Sequence, residues 1–529
     1  MDLAIQKFCG IRQTSPVADL TARNTISAVV CRNVELQFTE KSDNVGIFTT
    51  DGNVKLCECG YQIIAQFESV QNRVTYHFVY AVDDTQGFLF QYDKAANLFN
   101  ELKSGLSKTA VANGITIANG FYDYFVFTNG VDDYIAVCMQ KENDERVQNL
   151  NATDAENRDI RGLALEIADG RLITACQNRV HWSATQNIFD WKSSDPDLTT
   201  SPAYQELDRD VTALAYYNNA LVVFTKDYSV TFRGNPGDAS NFSRSGAAGG
   251  GCAGFKSLVK FDNKLLYFDY NARNIFAYYL LDSGQTRPTN GLADNVLEFL
   301  AGLDNSRLNE IETISYINAT RSEIWFKLPT MSGDNKILTF DYLHREWIER
   351  REQADIKALC VVGGVFYSAS GKNILREYLT NMFDGEFIGA EYKSNIINIG
   401  SDSNLKIPKM PLIMTLDYGK ENDFYIEFIY DDNPEHTQLK RIVKLSKGYL
   451  VWAKSSDDET VYSVWAKDKE DENGGKWFDK NKNTVMFNLA GVRGFKQLQF
   501  RIFTKEAGQQ FGIKRLELKR VKLKTKTLG

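Results

Sequence analysis

The chain has 529 residues, of which 43% are hydrophobic, 12% aromatic and 24% charged, and its formal net charge is −7. This length exceeds one ordinary core and predicts several domains, and the small negative charge gives no indication of nucleic-acid binding by the whole chain. The 33 phenylalanines and 25 tyrosines favour pleated, half-buried surfaces, and therefore β-structure.

Residues 1–36 are predicted to form an N-terminal arm and a closing strand. The start, MDLAIQKFCGIRQ, lacks a basic segment followed by an apolar one, so no signal peptide is expected. No window approaches the roughly eighteen apolar residues of a transmembrane helix, so no membrane span is predicted. The strands near AVVCRNVELQF, residues 28–38, are expected to close the ring of the next domain by pairing in its last blade.

Residues 37–379 contain a repeated pattern. LALEIADGRLITACQNRVHW (163–182) and ALAYYNNALVVFTKDYSVTF (213–232) each read as strand, tight polar turn, strand, second polar turn and third strand. The turn residues Asp, Asn and Gly tolerate the positive φ of hairpin turns. Related copies begin at Ser257, Ile314 and Ala358. Units of this kind, recurring at spacings of 44–57 residues, predict a β-propeller of six or seven blades; two stacked β-sandwiches are the alternative.

Two short segments have helical character, NLFNELKSGL (97–106) and DNVLEFLAGL (294–303). After residue 379 the strands become longer and are separated by polar, often acidic loops. Residues 380–529 are therefore predicted to be an antiparallel β-sandwich that ends in a basic strand. The fold class is all-β.

Signatures of catalysis or of cofactor binding are weak. The four histidines show no metal-binding spacing, and there is no GxSxG elbow. The glycines at 249, 251 and 254 match GxGxxG, but a β-run and not a helix follows, so an inter-blade loop is expected. The eight scattered cysteines are expected to be buried free thiols in a reducing cytosol. No catalytic residue, cofactor or metal is predicted, and the protein is not expected to be an enzyme.

The densest group of polar and aromatic residues is RVHWSATQNIFDWKSSDPD, 179–197. Such a segment suits either a sugar-binding or catalytic surface, or a linker that fixes one blade to the next. SATQNIFDW lacks the Asp and Gly of the sialidase Asp box. The structural interpretation is favoured: Trp182 and Trp191 are predicted to pack between blades, while Ser183 and Asp190 satisfy backbone groups.

A strand, then W-S, then a polar linker ending in D-W resembles the tail hub, or nozzle, proteins of short-tailed bacteriophages, also known for stabilising packaged DNA. The segments 211–234 and 246–279 continue the similarity in order, as do residues 8–36 and 391–432 at the two ends. The resemblance implies a virion tail protein, made in the host cytoplasm. It implies a homo-oligomeric ring of six copies below the portal and adaptor rings. Genomic DNA would pass through the central channel of this ring, and its contacts with the ring would not depend on its sequence. Tail fibres or a tail tip would attach to this ring.

The C-terminus is basic: residues 514–529 carry +6, which leaves −13 on the rest of the chain. The basic residues of interest are Lys519, Arg520, Lys522, Lys524 and Lys526. They suit either a solvated edge strand, which lysines protect from aggregation, or contact with DNA phosphates or an acidic partner ring.

Two further functions remain open on the sequence. A carbohydrate- or receptor-binding propeller would use rim aromatics such as Trp325, Trp347 and Tyr270. A propeller glycosidase would need two carboxylates at a set separation, which a sequence does not reveal.

Overall fold

The chain folds almost entirely into β-strands and divides into two compact units. The computed structural model describes residues 3–13, 17–19, 25–39, 44–192, 200–234, 243–280, 286–288, 291–350, 355–398, 404–408, 412–417, 422–444, 449–453, 464–465, 474–478, 484–487, 495–518 and 521–525. We call Met1–Gly52, His344–Arg351 and Thr380–Gly529 the curled-sheet unit, and Asn53–Leu343 with Glu352–Leu379 the propeller unit. The division falls at Asn53, whereas the sequence suggested Gln37.

The chain begins with strands of the curled-sheet unit: β1 (Leu3–Ile5), β2 (Lys7–Ile11), β3 (Val17–Asp19), β4 (Thr25–Arg32), β5 (Val34–Phe38) and β6 (Val45–Thr49). β4 pairs in parallel with β2, and β5 pairs with β6. The prediction that residues 28–38 close the propeller ring was therefore wrong. The closing strand is instead β7 (Gly52–Glu58), which joins the last propeller sheet. Its Cys57 packs into the core of that sheet.

Six separate antiparallel sheets form a six-blade β-propeller arrangement, which confirms the predicted propeller. The first three sheets contain β8 (Gln62–Gln71), β9 (Val74–Val82), β10 (Gly87–Asp93) and β11 (Leu98–Leu106); β12 (Asn113–Asn119), β13 (Tyr122–Thr128), β14 (Ile135–Val137) and β15 (Val147–Asn149); and β16 (Ala164–Ala168), β17 (Arg171–Cys176), β18 (Arg179–Trp182) and β19 (Ala203–Glu206).

The fourth and fifth sheets contain β20 (Val211–Tyr217), β21 (Ala220–Thr225), β22 (Tyr228–Arg233), β23 (Ser243–Arg244) and β24 (Ala248–Gly249); and β25 (Leu258–Phe261), β26 (Lys264–Phe268), β27 (Ile275–Leu280) and β28 (Thr286–Pro288). An antiparallel meander follows, with β29 (Glu312–Ile317), β30 (Ser322–Pro329) and β31 (Asn335–Asp341). After β32 (Glu346–Arg350) of the other unit come β33 (Ile356–Val362), β34 (Val365–Ser370) and β35 (Asn373–Thr380), which β7 completes as the sixth sheet. Because β29 contacts both β25 and β33, the meander lies between the fifth and sixth sheets.

The predicted hairpin turns are present. Both central residues of each turn have positive φ, as the primed turns of tight hairpins require: Asp169 and Gly170, Asn218 and Asn219, Asp262 and Asn263, and Gly363 and Gly364. Turn chemistry and strand alternation together specify these hairpins.

One helix prediction was right and the other wrong. Asp294–Val296 is a 3-10 turn that continues into the helix α1 (Leu297–Ala301). NLFNELKSGL instead supplies β11, whose Leu98 pairs with Asp93 of β10. Cross-strand pairing overrides the helical propensity of this segment, which turns at Asn97 with φ 55°.

The remaining strands belong to the curled-sheet unit: β36 (Glu391–Ser394), β37 (Ile396–Asn398), β38 (Asn404–Pro408), β39 (Leu412–Leu416), β40 (Asn422–Tyr430), β41 (Asn433–Lys444), β42 (Tyr449–Ala453), β43 (Val464–Trp465), β44 (Gly474–Phe478), β45 (Thr484–Phe487), β46 (Gln497–Phe503), β47 (Gly512–Leu518) and β48 (Val521–Thr525). Most of them join β1–β6 and β32 in one large curled sheet. β36 pairs with β4 on one side and with β46 on the other, so the N-terminal strands lie among the C-terminal ones.

Buried aromatics hold these distant strands together. Tyr392 of β36 is fully buried, and its hydroxyl donates to the carbonyl of Cys9 at 3.1 Å or of Ile26 at 3.2 Å. Its ring packs edge-on against Phe8 and stacks on Phe500. One side chain therefore links four strands from both ends of the chain.

Alternating charges cross the same sheet. Glu391 accepts from Arg32 at 3.4 Å and from Arg501 at 2.6 Å. Arg32 also binds Glu349 at 3.1 Å, and Arg501 lies 3.7 Å from Glu427. We call these five residues, one each from β32, β4, β36, β46 and β40, the charge ladder.

Candidate functional site

The segment that stood out in the sequence lies between propeller sheets. Trp191 is 5% exposed and packs in a core shared by the second and third sheets, with Tyr134 stacked at 6.3 Å and Leu172 of β17 beside it. Trp182, 4% exposed, packs in the next core along with Leu214 of the fourth sheet. The two tryptophans thus contribute to successive inter-sheet cores, and the indole nitrogen of Trp191 donates to the carbonyl of Ile188 at 2.8 Å.

Ser183 and Asp190 bond to the backbone of the linker. The Ser183 hydroxyl accepts from the amide of Leu172 at 3.1 Å, and its own amide donates to the Leu172 carbonyl at 2.9 Å. The Asp190 carbonyl accepts from the Ala184 amide at 2.9 Å, and its carboxylate accepts from the Lys192 amide at 3.2 Å. Residues 193–197 of the quoted stretch lie outside the described residues.

Sequence reasoning missed a buried cation beneath this linker. Arg171 is fully buried, and one of its nitrogens donates to the carbonyls of Ser183 and Ser201, both at 2.8 Å. Burial lowers the pKa of this guanidinium. The arginine fixes two points of the linker backbone. In the sequence it follows the Asp-Gly turn directly, a position that predicts the start of a strand but not a buried cation.

A second buried charge cluster joins the 3-10 helix Phe255–Ser257, which precedes β25, to the β29–β31 meander. Glu312 lies 3.1 Å from the ammonium of Lys256 and 3.0 Å from that of Lys327. Burial opposes ionisation of Glu312, yet the two lysines outweigh it and lower the pKa of the carboxyl. Lys327 also donates to the backbone carbonyl of Lys357, and Lys256 lies 5.5 Å from the ring centre of Phe67. The cluster connects β8, β29, β30 and β33, and its one carboxylate pairs with two ammonium groups.

The histidines of the propeller unit are buried and uncharged at neutral pH. Burial lowers the pKa of His77 to about 3, and burial likewise lowers the pKa of His181 to about 4. His77 lies 2.9 Å from the amide oxygen of Gln66, and His181 packs against Tyr204. In the curled-sheet unit, His344 packs against Phe38 at 4.4 Å.

The glycine-rich segment is only in part the expected loop, because Ala248–Gly249 forms the short strand β24, which pairs with β22. A Cβ on Gly251 would lie 1.9 Å from the carbonyl oxygen of Lys226, so this position requires glycine for close backbone approach. The GxGxxG match is followed by a 3-10 helix of three residues, Phe255–Ser257, and then by β25.

Two of the three proposed rim aromatics are core residues, and that part of the carbohydrate-binding prediction was wrong. Trp325 is 0% exposed and packs edge-on against Phe366 at 4.6 Å. Trp347, 2% exposed, belongs to β32, in which every residue is buried. Tyr270 is partly exposed, with the Lys226 ammonium 5.0 Å from its ring centre. Period-two alternation fails to identify a rim when both faces of a strand are covered.

The basic C-terminal residues are described in part. Lys522 and Lys524 lie on β48, which pairs with β38 in a separate two-stranded sheet. Lys519, Arg520 and Lys526 lie outside the described residues.

Within the described part of the chain, no three His, Cys, Asp or Glu side chains lie close enough together to hold a metal ion. No helix among the described residues is both long and apolar enough to cross a bilayer. The eight cysteines are free thiols, six of them buried and Cys59 and Cys176 partly so.

No protein-family model matches the chain, and no curated protein matches its sequence. Among solved structures it is similar to BamB from Moraxella catarrhalis, with 9% identity, TM-score 0.35, and coverage of 65% of this chain and 92% of that one. It is also similar to the N-terminal domain of Nup159, with 10% identity, TM-score 0.35, and coverage of 66% of this chain and 99% of that one. A third similar structure is the extracellular domain of the putative one-component system BT4673 from B. thetaiotaomicron, with 8% identity, TM-score 0.41, and coverage of 97% of this chain and 64% of that one.

Proposed function

We propose that the chain is a structural protein of a short-tailed bacteriophage, and that it forms the tail hub, or nozzle, ring. In this proposal six copies assemble below the portal and adaptor rings, continue the channel for packaged DNA, retain the genome and release it at infection. Tail fibres or a tail tip bind the same ring, and the protein is located in the virion.

The observation that best supports the proposal is the packing of the W-S…D-W segment between propeller sheets. This segment carries the resemblance to tail hub proteins, and its tryptophans pack in two successive inter-sheet cores. Its polar residues, which a sugar-binding or catalytic surface would need exposed, bond to the linker backbone. A segment used in this way favours an architectural role over a recognition role.

A second line of support is the content of the propeller unit. Its buried histidines and the Glu312 cluster are enclosed between strands and paired within the unit. Trp325, a candidate sugar-stacking residue, is enclosed as well. These groups stabilise the fold and are withheld from a substrate.

The test is the oligomeric state of the purified chain, measured by light scattering and by negative-stain imaging of the same fractions, with and without phage connector proteins. Rings of six copies with a central hole, alone or on a connector, are the expected result. A chain that stays monomeric, ignores connector proteins and binds an oligosaccharide on a glycan array would overturn the proposal in favour of a receptor-binding propeller.

A further inference from the structure

Two neighbouring hairpins of the propeller unit end in exposed apolar side chains. The β8–β9 hairpin turns at residues 72–73, and the β12–β13 hairpin turns at residues 120–121. The Asp123 carboxylate accepts from the amide of Asn72 at 2.8 Å, so the two turns lie side by side. We call residues 70–74 and 119–123 together the paired tips.

The paired tips hold four of the exposed large apolar side chains among the described residues. Val70 is 47% exposed, Val74 50%, Tyr122 41% and Phe121 100%. Apolar side chains that are left in water together at one place on a folded surface mark a contact with another protein or with a membrane.

The backbone holds Phe121 in a fixed position. Gly120 has φ 64°, as the first central residue of a two-residue type II′ hairpin turn requires. The side-chain oxygen of Asn119 accepts from the amide of Ile188 at 3.0 Å, which ties this turn to the linker that carries Trp191. A side chain displayed by a fixed turn loses little conformational freedom when surroundings outside the chain bury it.

The two valines indicate what kind of surroundings would bury the tips. Val74 lies opposite Gln71 in the register and shares its face of the β8–β9 hairpin. Val70 lies opposite Thr75 on the other face, because successive residues of a strand alternate between faces. A flat protein surface would cover only one face of this hairpin end. The interfacial layer of a lipid bilayer would surround both faces and would also bury the ring of Phe121.

A lysine beside the tips suits the same surroundings. The Lys141 ammonium lies 5.0 Å from the centre of the Tyr122 ring, and it pairs with Glu145 at 3.4 Å. Tyrosine and lysine are favoured at the headgroup level of a membrane, where their apolar parts are buried while their polar ends stay in water.

The net charge around the tips distinguishes between classes of lipid. Residues 68–75, 119–123 and 141–146 carry five acidic and three basic side chains, and therefore a net charge of −2. This charge repels an anionic bilayer and is compatible with a zwitterionic one.

We propose that the paired tips insert into the interfacial layer of a bilayer of zwitterionic phospholipid, with Phe121 and Val74 as the main apolar anchors. The contact is peripheral and needs no spanning segment. It goes beyond the proposed function and does not depend on it.

Flotation of the full chain with phosphatidylcholine vesicles, at low and at high salt, tests the proposal. The wild type should float at both salt concentrations, because salt screens charges but does not weaken apolar burial. Val74→Ser/Phe121→Ser should weaken binding by about tenfold or more, since two apolar anchors are lost. The control Val131→Ser/Met331→Ser removes exposed apolar side chains from other loops of the propeller unit and should leave binding unchanged.

Two further measurements sharpen the test. Phe121→Trp keeps an aromatic anchor at the turn and should bind at least as tightly as the wild type, since tryptophan is favoured at membrane interfaces. Replacing half of the phosphatidylcholine by phosphatidylglycerol should weaken binding at low salt, because the negative charge around the tips is then repelled.

Other outcomes overturn the proposal. A wild-type chain that does not float with phosphatidylcholine vesicles at either salt concentration would refute it. Equal flotation of the wild type and the tip Ser variant, with matching melting curves, would place membrane binding on another surface. A tip Ser variant that changes the oligomeric state of the chain and not its flotation would assign the paired tips to a contact between protein molecules.

Imaging the same preparations separates this proposal from the proposed function. Rings that form on connector proteins but do not float would overturn the membrane contact and leave the hub. Chains that float through the paired tips but form no ring would overturn the hub and leave the membrane contact.

Discussion

The two units are built in opposite ways. In the propeller unit most strands pair with their neighbours along the chain, as β16 does with β17 and β17 with β18. In the curled-sheet unit β4 lies beside β36 and β32, more than 300 residues away in sequence. Repetition of local hairpins leaves a visible period in a sequence, whereas a sheet assembled from distant strands leaves none.

The units also differ in how they hold polar groups. The propeller unit encloses His77 and Trp191 between its sheets, whereas the charge ladder of the curled-sheet unit is only partly buried, its central Glu391 side chain being 16% exposed. Perturbing enclosed groups should therefore affect stability strongly, and perturbing the ladder should affect it weakly and in a salt-dependent way.

The largest expected effect is that of Trp191→Ala. Loss of a buried indole from a core shared by two sheets should lower the free energy of unfolding by about 3–5 kcal/mol, measured by chemical denaturation. The control is Phe121→Ala, which removes a fully exposed ring and should change it by less than about 0.5 kcal/mol. An unchanged melting curve for Trp191→Ala, together with lost carbohydrate or host binding, would identify a recognition surface instead.

An intermediate effect is expected from pH. An unfolded histidine binds a proton near pH 6.5, but buried His77 does so only at about 3. As the pH falls below 6.5 the unfolded state gains a proton that the folded state does not. The free energy of unfolding therefore has its full value above pH 6.5 and decreases as the pH falls toward 3. At pH 5 the loss reaches about 2 kcal/mol.

Denaturation of His77→Gln at pH 7 and pH 5 tests this expectation. The variant retains an amide that can bond to Gln66, and its pH dependence between 7 and 5 should be smaller than that of the wild type. The remaining slope belongs in part to His181, whose pKa is also lowered. An undiminished slope in the variant would show that His77 is not held neutral.

The smallest effect is expected from Glu391→Gln at the centre of the charge ladder. Because its partners Arg32 and Arg501 are partly exposed, the loss should be at most about 1 kcal/mol. It should shrink further in 1 M salt, which screens such pairs. Glu101→Gln, at an exposed position of the propeller unit, is the control. A loss of several kcal/mol that persists in high salt would place Glu391 among the enclosed charges.

The sequence was informative wherever a local rule decided the structure. Asp169-Gly170 and Gly363-Gly364 marked hairpins because only certain residues adopt positive φ cheaply. The burial of Trp325 and the pairing of β4 depend on chain-distant partners, so local patterns could not reveal them. The Glu312 cluster was invisible for the same reason: Lys256 and Lys327 reach it from separate elements.

The closing strand of the propeller has a consequence for synthesis of the chain. β7 ends at Glu58, but its partner β35 spans Asn373–Thr380. At about 5–20 residues per second, roughly 16–65 s separate translation of the two strands. During that interval the growing ring has two unpaired edges at the ribosome, where strands of neighbouring nascent chains can pair with them. A chaperone that shields β7 until residue 380 has emerged would raise the yield of folded protein.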